Sequence, residues 1–249
     1  SGFYGSGKSS FAKYLGYSLQ KDFKVNGELF LDRLSNRINS LPTRQVLKKI
    51  VSNHDPAVIL LDCATEQIKG GLLPPILELL IAKVNQLAGF STDSQLAHLE
   101  QMLQKDGKLD SFISKIQNQY HKNWDDIKIN DLLRAKGVAS NLASEFYPEI
   151  WKDSHAFKTT HVDDLSTDKA KLKDLLATIN RITGKDKVIF IVDEVGQYIS
   201  AKDRLILSMQ GTLENLKEIG GGKAWLLATA QQTLTEDNPN ARLNSDKLY

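Results

Sequence analysis

The sequence begins with a glycine-rich stretch that strongly limits how the chain can fold. Its first ten residues, SGFYGSGKSS, match the phosphate-binding pattern G-x-x-x-x-G-K-[ST] through Gly2, Gly7, Lys8 and Ser9. In known folds this loop joins the end of a buried strand to the start of a helix. Here a helical pattern follows the loop and no strand precedes it in the sequence. The loop therefore predicts a nucleotide-binding α/β core, and we expect the chain to be a fragment of a longer protein.

A triphosphate carries concentrated negative charge, so its binding site needs donors that can approach it closely. Glycines let successive backbone N–H groups face the phosphates, and the helix N-terminus adds a favourable dipole. We predict that Lys8 contacts the β- and γ-phosphates of ATP and that Ser9 Oγ ligates Mg²⁺. The nucleotide-binding residues predicted in this segment are Gly2, Gly5, Ser6, Gly7, Lys8, Ser9 and Ser10. The alternative interpretation is a surface turn that matches the pattern by chance.

A second pattern, independent of the first, ends a predicted buried strand. The apolar run 188–192 is followed by Asp193 and Glu194, which is the Walker B pattern. We predict that Asp193 holds Mg²⁺ through a water molecule and that Glu194 orients or deprotonates the attacking water. Two solvated carboxylates at a strand end are the alternative interpretation. Together with the loop, the acidic pair predicts an ATPase whose catalytic residues are Lys8 and Glu194.

A third set of polar residues is less specific. The run LLATAQQ offers Thr229, Gln231 and Gln232 as sensors of the γ-phosphate, although polar residues also end strands for reasons of solubility. We assign Gln231 to the nucleotide site. Arg204 and Arg242 are candidates for arginine fingers acting on a neighbouring subunit. Asp62, which follows another apolar run, either faces the nucleotide or caps a turn, and the sequence favours the turn.

The order of these patterns predicts how the chain is organised. Strands are predicted between Pro56 and Asp62, at 188–192 and within the string KAWLLATAQQ at 223–232, and all three are expected to be buried. A helix after the loop is predicted to bury a stripe of Phe11, Leu15 and Leu19. Between the strands, residues 70–184 carry repeated helical spacing. We predict a three-layer α/β P-loop NTPase core of the AAA+/ASCE-like kind at 1–69 and 185–249, interrupted by a helical insertion at 70–184.

The overall composition says more about where the protein is located than about the reaction it catalyses. The net charge of +2 gives no broad argument for nucleic acid, although a local basic patch and DNA contact stay open. A single cysteine fits a reducing compartment, and no apolar run approaches the roughly 20 residues that span a bilayer. The five histidines are scattered without metal-ligand spacing, and the aromatic residues of the insertion are expected to form its core. We predict a cytoplasmic protein without a membrane anchor.

The strings SGFYGSGKSSFAKYL, VIFIVDEVGQYI and GKAWLLATAQQ resemble the BrxC/PglY-like P-loop ATPases of bacterial bacteriophage-exclusion (BREX) systems. The layout of the insertion is similar as well, so the resemblance spans nearly the whole chain. It implies an antiphage ATPase acting with a DNA methyltransferase and other system components, and we expect a homo-oligomer. Members of that family are several times longer, so the strand before the loop and elements after the polar tail are expected to be missing.

Two other functions remain open at this stage. One is an ATP-gated scaffold, in which nucleotide occupancy controls assembly and hydrolysis is negligible. The other is an unrelated AAA+ ATPase that loads or remodels DNA, as initiator-like proteins do. Turnover measured with and without DNA and partners distinguishes these alternatives from a partner-stimulated ATPase.

Overall fold

The computed structural model describes residues 7–65, 73–160, 166–199 and 202–230. Its helices are α1 (Lys8–Leu19), α2 (Phe30–Arg37), α3 (Leu41–His54), α4 (Ile76–Leu87), α5 (Ser94–Lys105), α6 (Leu109–Tyr120), α7 (Trp124–Asn130), α8 (Leu132–Phe146), α9 (Ser154–Thr159), α10 (Asp168–Thr183), α11 (Val195–Ile199) and α12 (Asp203–Gly220). Its strands are β1 (Lys24–Val25), β2 (Glu28–Leu29), β3 (Ala57–Asp62), β4 (Val188–Asp193) and β5 (Ala224–Ala228). The predicted mixed α/β organisation with a parallel sheet is confirmed.

The parallel sheet has the strand order β3-β4-β5. Its register places Asp62 beside Asp193 and Val192 beside Ala228, so the carboxyl ends of the three strands meet at one edge. Strand β4 is nearly all buried because it pairs on both sides. The prediction that the last strand is buried is wrong, since Trp225 is 45% exposed and Leu227 is 37% exposed. Among the described residues, β3 and β5 are both edges of the sheet, but α1 packs against β3 and β4 whereas β5 packs against α12, and side chains of β5 stay exposed.

Helix α1 packs against β3 and β4 through small side chains. Ala12 and Gly16 are buried, and a Cβ added to Gly16 would lie 2.6 Å from Cδ1 of Ile191. A side chain at position 16 would require Ile191 or the helix to shift. The predicted buried stripe is therefore partly wrong. Phe11 is 69% exposed, whereas Leu19 is buried in a cluster with α3.

The chain divides into two compact units, one of Ser1–Leu80 with Asp168–Tyr249 and one of Ile81–Thr167. The second unit spans fewer residues than the 70–184 insertion predicted from the sequence, because the start of α4 and the whole of α10 belong to the first unit. Within the second unit, Trp124, Tyr147 and Trp151 are buried among leucines, which confirms the prediction that its aromatics are core. Within the described ranges, no helix combines the length and apolarity required to cross a membrane.

A buried charged network lies inside the second unit. Glu100 is 1% exposed and accepts hydrogen bonds from Ser91 N at 2.6 Å and Trp124 Nε1 at 2.7 Å. Lys128 Nζ lies 3.1 Å from Glu100 Oε1 and donates to the Gly89 carbonyl at 2.6 Å. Buried charges are tolerated where they are paired and hydrogen-bonded, as they are here. The network ties α5, α7 and the loop after α4 into one core.

Candidate functional site

The N-terminus of α1 lies at the start of the candidate site. Gly7 precedes the helix with a φ of 79°, a left-handed conformation that glycine adopts without a steric penalty. No side chain caps this end, and its first turn contains no acidic residue. The amides of a first helical turn have no acceptor within the helix, and the macrodipole there favours an anion. The end of α1 is therefore suited to a phosphate group.

The carboxylate of Asp193 is the buried centre of the site. The residue is 2% exposed, and Oδ1 accepts hydrogen bonds from Thr229 Oγ1 and from Glu194 N at 3.2 Å. The Ser9 hydroxyl also bonds to this carboxylate, and Lys13 Nζ lies 3.2 Å from Oδ2. Burial alone would raise the pKa of Asp193, but the hydrogen bonds from Thr229, Ser9 and Lys13 outweigh it and hold the pKa below its usual value. Asp193 is thus ionised at neutral pH, as a metal ligand must be.

Thr229 fixes the junction between the strand ends. Its Oγ1 donates to Asp193 and accepts from Glu194 N at 3.1 Å. Its carbonyl accepts from Val195 N at 2.9 Å, and its amide donates to the Val192 carbonyl at 3.0 Å. These bonds hold Glu194 at a φ of 61°, which is uncommon for a residue with a side chain and costs on the order of 1–3 kcal/mol. Strain of this kind clusters at functional sites, so it supports a role for Glu194.

Lys13 joins the two acidic strand ends. Its Nζ lies 2.9 Å from Asp62 Oδ2 and 3.2 Å from Asp193 Oδ2. The pKa of Lys13 is raised, mainly by its hydrogen bond to Asp62, while desolvation acts in the opposite direction. Asp62 also accepts from Ala64 N at 3.1 Å, so it caps a turn as the sequence favoured. The structure also shows that Asp62 is linked to Asp193 through Lys13, which contacts both carboxylates.

The predicted site residues divide into four groups. Ser9 and Asp193 are in contact, and Glu194 directly follows β4, the strand that Asp193 ends. Lys8 and Ser10 lie in the first turn of α1, half-buried and exposed respectively. The structure does not describe the predicted residues Gly2, Gly5, Ser6, Gln231, Gln232 and Arg242. Arg204 is exposed on α12, where its Nη2 lies 3.5 Å from the Leu73 carbonyl.

The residues present fit a magnesium ion carried by a nucleotide. Mg²⁺ usually keeps several waters and takes one or two carboxylates together with substrate phosphates. Ser9 supplies a hydroxyl, and Asp193 supplies an ionised carboxylate in contact with it. In the part of the chain that the structure describes, no group of three or more His, Cys, Asp or Glu could hold a metal unaided. One hydroxyl and one carboxylate suit a metal that brings phosphate ligands with it.

Sequence reasoning overlooked Lys13 and gave Thr229 too little weight. Lys13 lies four residues after Ser9, so it follows Ser9 by one turn on the same side of α1. That spacing was the available signal. Thr229 was one of three polar candidates in its segment, and the register that brings it beside Asp193 comes from the pairing of β4 with β5.

Comparison with known proteins does not add to these observations. No family model matches the chain, and no solved structure matches it significantly.

Proposed function

We propose that this protein binds ATP with Mg²⁺ and hydrolyses it. The observation that carries the proposal is the contact between Ser9, at the start of α1, and Asp193, at the end of β4. About 180 positions separate the two residues in the sequence, and each belongs to a pattern with its own phosphate or metal role. Their meeting at one point supports a shared metal–nucleotide site.

Each residue has a separate task in this proposal. The amides of the loop and of the first turn of α1 bind the phosphates, and Lys8 contacts the β- and γ-phosphates. Ser9 and Asp193 would hold the magnesium ion, which when bound would supply positive charge against the phosphate oxygens. Glu194 orients the attacking water and accepts its proton. Thr229 fixes the backbone at Glu194 and the orientation of the Asp193 carboxylate.

We also propose that the first unit is a P-loop NTPase core of the AAA+/ASCE-like kind. The support is the chain order, in which the glycine-rich sequence leads into α1, and the contact of Ser9 in the first turn of α1 with Asp193, where the parallel strands β3, β4 and β5 end. The acidic pair ends the central strand, and polar Thr229 follows the strand beside it. Ligands of parallel α/β sheets bind outside the carboxyl ends of the strands.

The cellular role is a further proposal, and it depends on the resemblance of the quoted strings to BrxC/PglY-like ATPases. In that role the protein is a cytoplasmic, homo-oligomeric ATPase that acts with a DNA methyltransferase and other components of an antiphage system. Deleting the gene in its host tests this role. We expect the deletion to abolish phage resistance and a gene carrying Lys8→Ala to fail to restore it. Unchanged resistance after the deletion would contradict this role.

Titration with a fluorescent ATP analogue in the presence of Mg²⁺ tests the biochemical proposal. Lys8→Ala should weaken binding by at least roughly tenfold to a hundredfold, because charge-assisted bonds to phosphate are lost. Glu194→Gln should bind as wild type does and lose turnover. Lys48→Ala is the matched control, because it also removes a lysine charge: Lys48 lies on α3 and pairs with Asp32 of α2 at 3.0 Å. Equal affinity of wild type and Lys8→Ala would contradict nucleotide binding at this site.

The same variants separate an ATPase from an ATP-gated scaffold. In the scaffold, Glu194→Gln alters nucleotide-dependent assembly while the wild type shows no turnover that could be lost. Light scattering and phosphate release, measured on the same samples with and without DNA, distinguish the two.

A further inference from the structure

Two carboxylates lie side by side where β3 and β4 end. Asp62 and Asp193 are register partners on adjacent parallel strands. Because Lys13 Nζ lies 2.9 Å from Oδ2 of one and 3.2 Å from Oδ2 of the other, these oxygens are within about 6 Å of each other. Like charges this close repel, and a cation between them removes the repulsion. Lys13 supplies that cation from within the chain.

The same pair of carboxylates would attract a free divalent cation if Lys13 were absent. One or two carboxylates are the protein ligands that Mg²⁺ commonly uses, and both oxygens that Lys13 contacts would then be available. The Asp62 side chain is 30% exposed and the Lys13 side chain is 38% exposed, so solvent reaches this side of the pair. The Asp193 side chain, in contrast, is 3% exposed. An ammonium group between the oxygens repels a second cation from the same place.

We propose that Lys13 is a positioning residue that keeps free divalent cations off the Asp62–Asp193 pair. A metal ion then binds Asp193 only together with a nucleotide. The negative charge of the phosphates makes up for the carboxylate charge that Lys13 neutralises. The inference rests on the proposed function for the role of Asp193. It does not follow from the motif, because the phosphate-binding pattern ends at Ser9 and includes neither Lys13 nor Asp62.

The Lys13 side chain is partly exposed, so it can move away from the two carboxylates when a metal–nucleotide binds. An ion pair fixed in the core could not yield to an incoming metal–nucleotide. Lys13 approaches from α1, and its long side chain can swing toward solvent while Ser9, one turn earlier, keeps its contact with Asp193. Asp62 keeps its turn hydrogen bond to Ala64 N in either position.

Binding of Mn²⁺ alone, without nucleotide, tests this role. Electron paramagnetic resonance of the free ion gives the affinity of the full chain for Mn²⁺. We expect Lys13→Met to bind Mn²⁺ at least about tenfold more tightly than wild type, because a unit positive charge a few ångströms from the ion is removed. Lys13→Arg keeps the charge and should bind as weakly as wild type does. Lys13→Met combined with Asp62→Asn should lose the gain.

Controls keep the outcome decisive. Lys13→Gln retains a donor for the carboxylates without the charge, and it should show the same gain if Lys13→Met does not fold. Lys48→Met removes a comparable surface partner of an aspartate and should leave Mn²⁺ affinity unchanged. An unchanged affinity in folded Lys13→Met or Lys13→Gln, or a gain that persists with Asp62→Asn, would overturn the proposal. Since no nucleotide is present, these results are independent of the titration that tests ATP binding.

Discussion

Replacing Thr229 with valine tests the arrangement that fixes the acidic strand end. Valine keeps the branched shape and loses the hydroxyl, so no cavity forms. Two hydrogen bonds disappear, one donated to the Asp193 carboxylate and one accepted from Glu194 N at 3.1 Å. A bond to a charged group contributes roughly 1.5–3 kcal/mol and a neutral one about 0.5–1.5 kcal/mol. Asp193 keeps other donors, so we expect a loss of about 2–3 kcal/mol in the free energy of unfolding of the first unit.

The two units require a local measurement of that free energy. Urea denaturation followed by pulsed hydrogen–deuterium exchange, read in peptides that cover 188–199, reports the first unit alone. Thr229→Ser is the matched control, because it retains the hydroxyl and should lose less than about 1 kcal/mol. If Thr229→Val unfolds within about 0.5 kcal/mol of wild type, the hydroxyl does not stabilise this strand end and the reasoning is refuted.

Three further changes probe the core and the charged groups. Gly16→Val should destabilise the first unit by about 1–3 kcal/mol, because the new side chain overlaps its neighbours in the sheet. Lys128→Met should destabilise the second unit by about 3–5 kcal/mol, since Glu100 remains buried without its cation; adding Glu100→Gln should recover part of the loss. Burial, and then a hydrogen bond to Asp106, raise the pKa of Tyr147 to about 12 from 10.0. The stability that Tyr147 contributes should therefore be complete below pH 10 and be lost as the pH rises through about 12.

Each of these has its own measurement and control. Thermal unfolding compares Gly16→Val with Gly211→Ala, a helical position with open space around its added Cβ, which should not destabilise. Hydrogen–deuterium exchange in peptides of α5 and α7 measures the destabilisation by Lys128→Met. Protection of the variant equal to that of wild type would count against a stabilising buried ion pair. Ultraviolet titration follows tyrosine ionisation, and Tyr147→Phe should remove the latest-ionising phenol. A Tyr147 that ionises with the surface tyrosines would contradict its burial.

The central contact of the site was predictable from the sequence because each half carries its own pattern. In known folds a phosphate-binding loop and an acidic pair at a strand end both lie where parallel strands end, so the sequence predicted that Ser9 and Asp193 share one metal. Lys13 was not predictable in the same way. Its relation to the sheet depends on how α1 is rotated about its axis.

The rotation of α1 was misjudged because large apolar side chains were taken as the buried ones. With Phe11 in the buried stripe, Lys13 would point about 160° away from the sheet at 100° per residue. With Ala12 and Gly16 against the sheet, as observed, Lys13 lies about 80° from the centre of the buried face, on the border where it reaches the strand ends. Close helix–sheet approach favours small residues, and sequence hydrophobicity alone does not reveal it.

The β1–β2 hairpin shows a missed local signal. Asn26 and Gly27 both have positive φ, at 54° and 81°, as the two-residue hairpin turn requires. The Asn-Gly pair was visible in the sequence, but two-residue strands carry too few side chains to produce an alternating pattern. The exposure of β5 could not be predicted for another reason, since the elements that cover a strand are set by tertiary packing and not by the composition of the strand itself.

The position of a metal bound together with a nucleotide tests the central claim most directly. Crystals grown with Mn²⁺ and a non-hydrolysable ATP analogue would show the ion by anomalous scattering. We predict one peak at about 2.1 Å from Ser9 Oγ and within reach of the Asp193 carboxylate through at most one water, with the phosphates at the N-terminus of α1. A nucleotide bound elsewhere, or a metal that contacts neither Ser9 nor Asp193, would contradict the account.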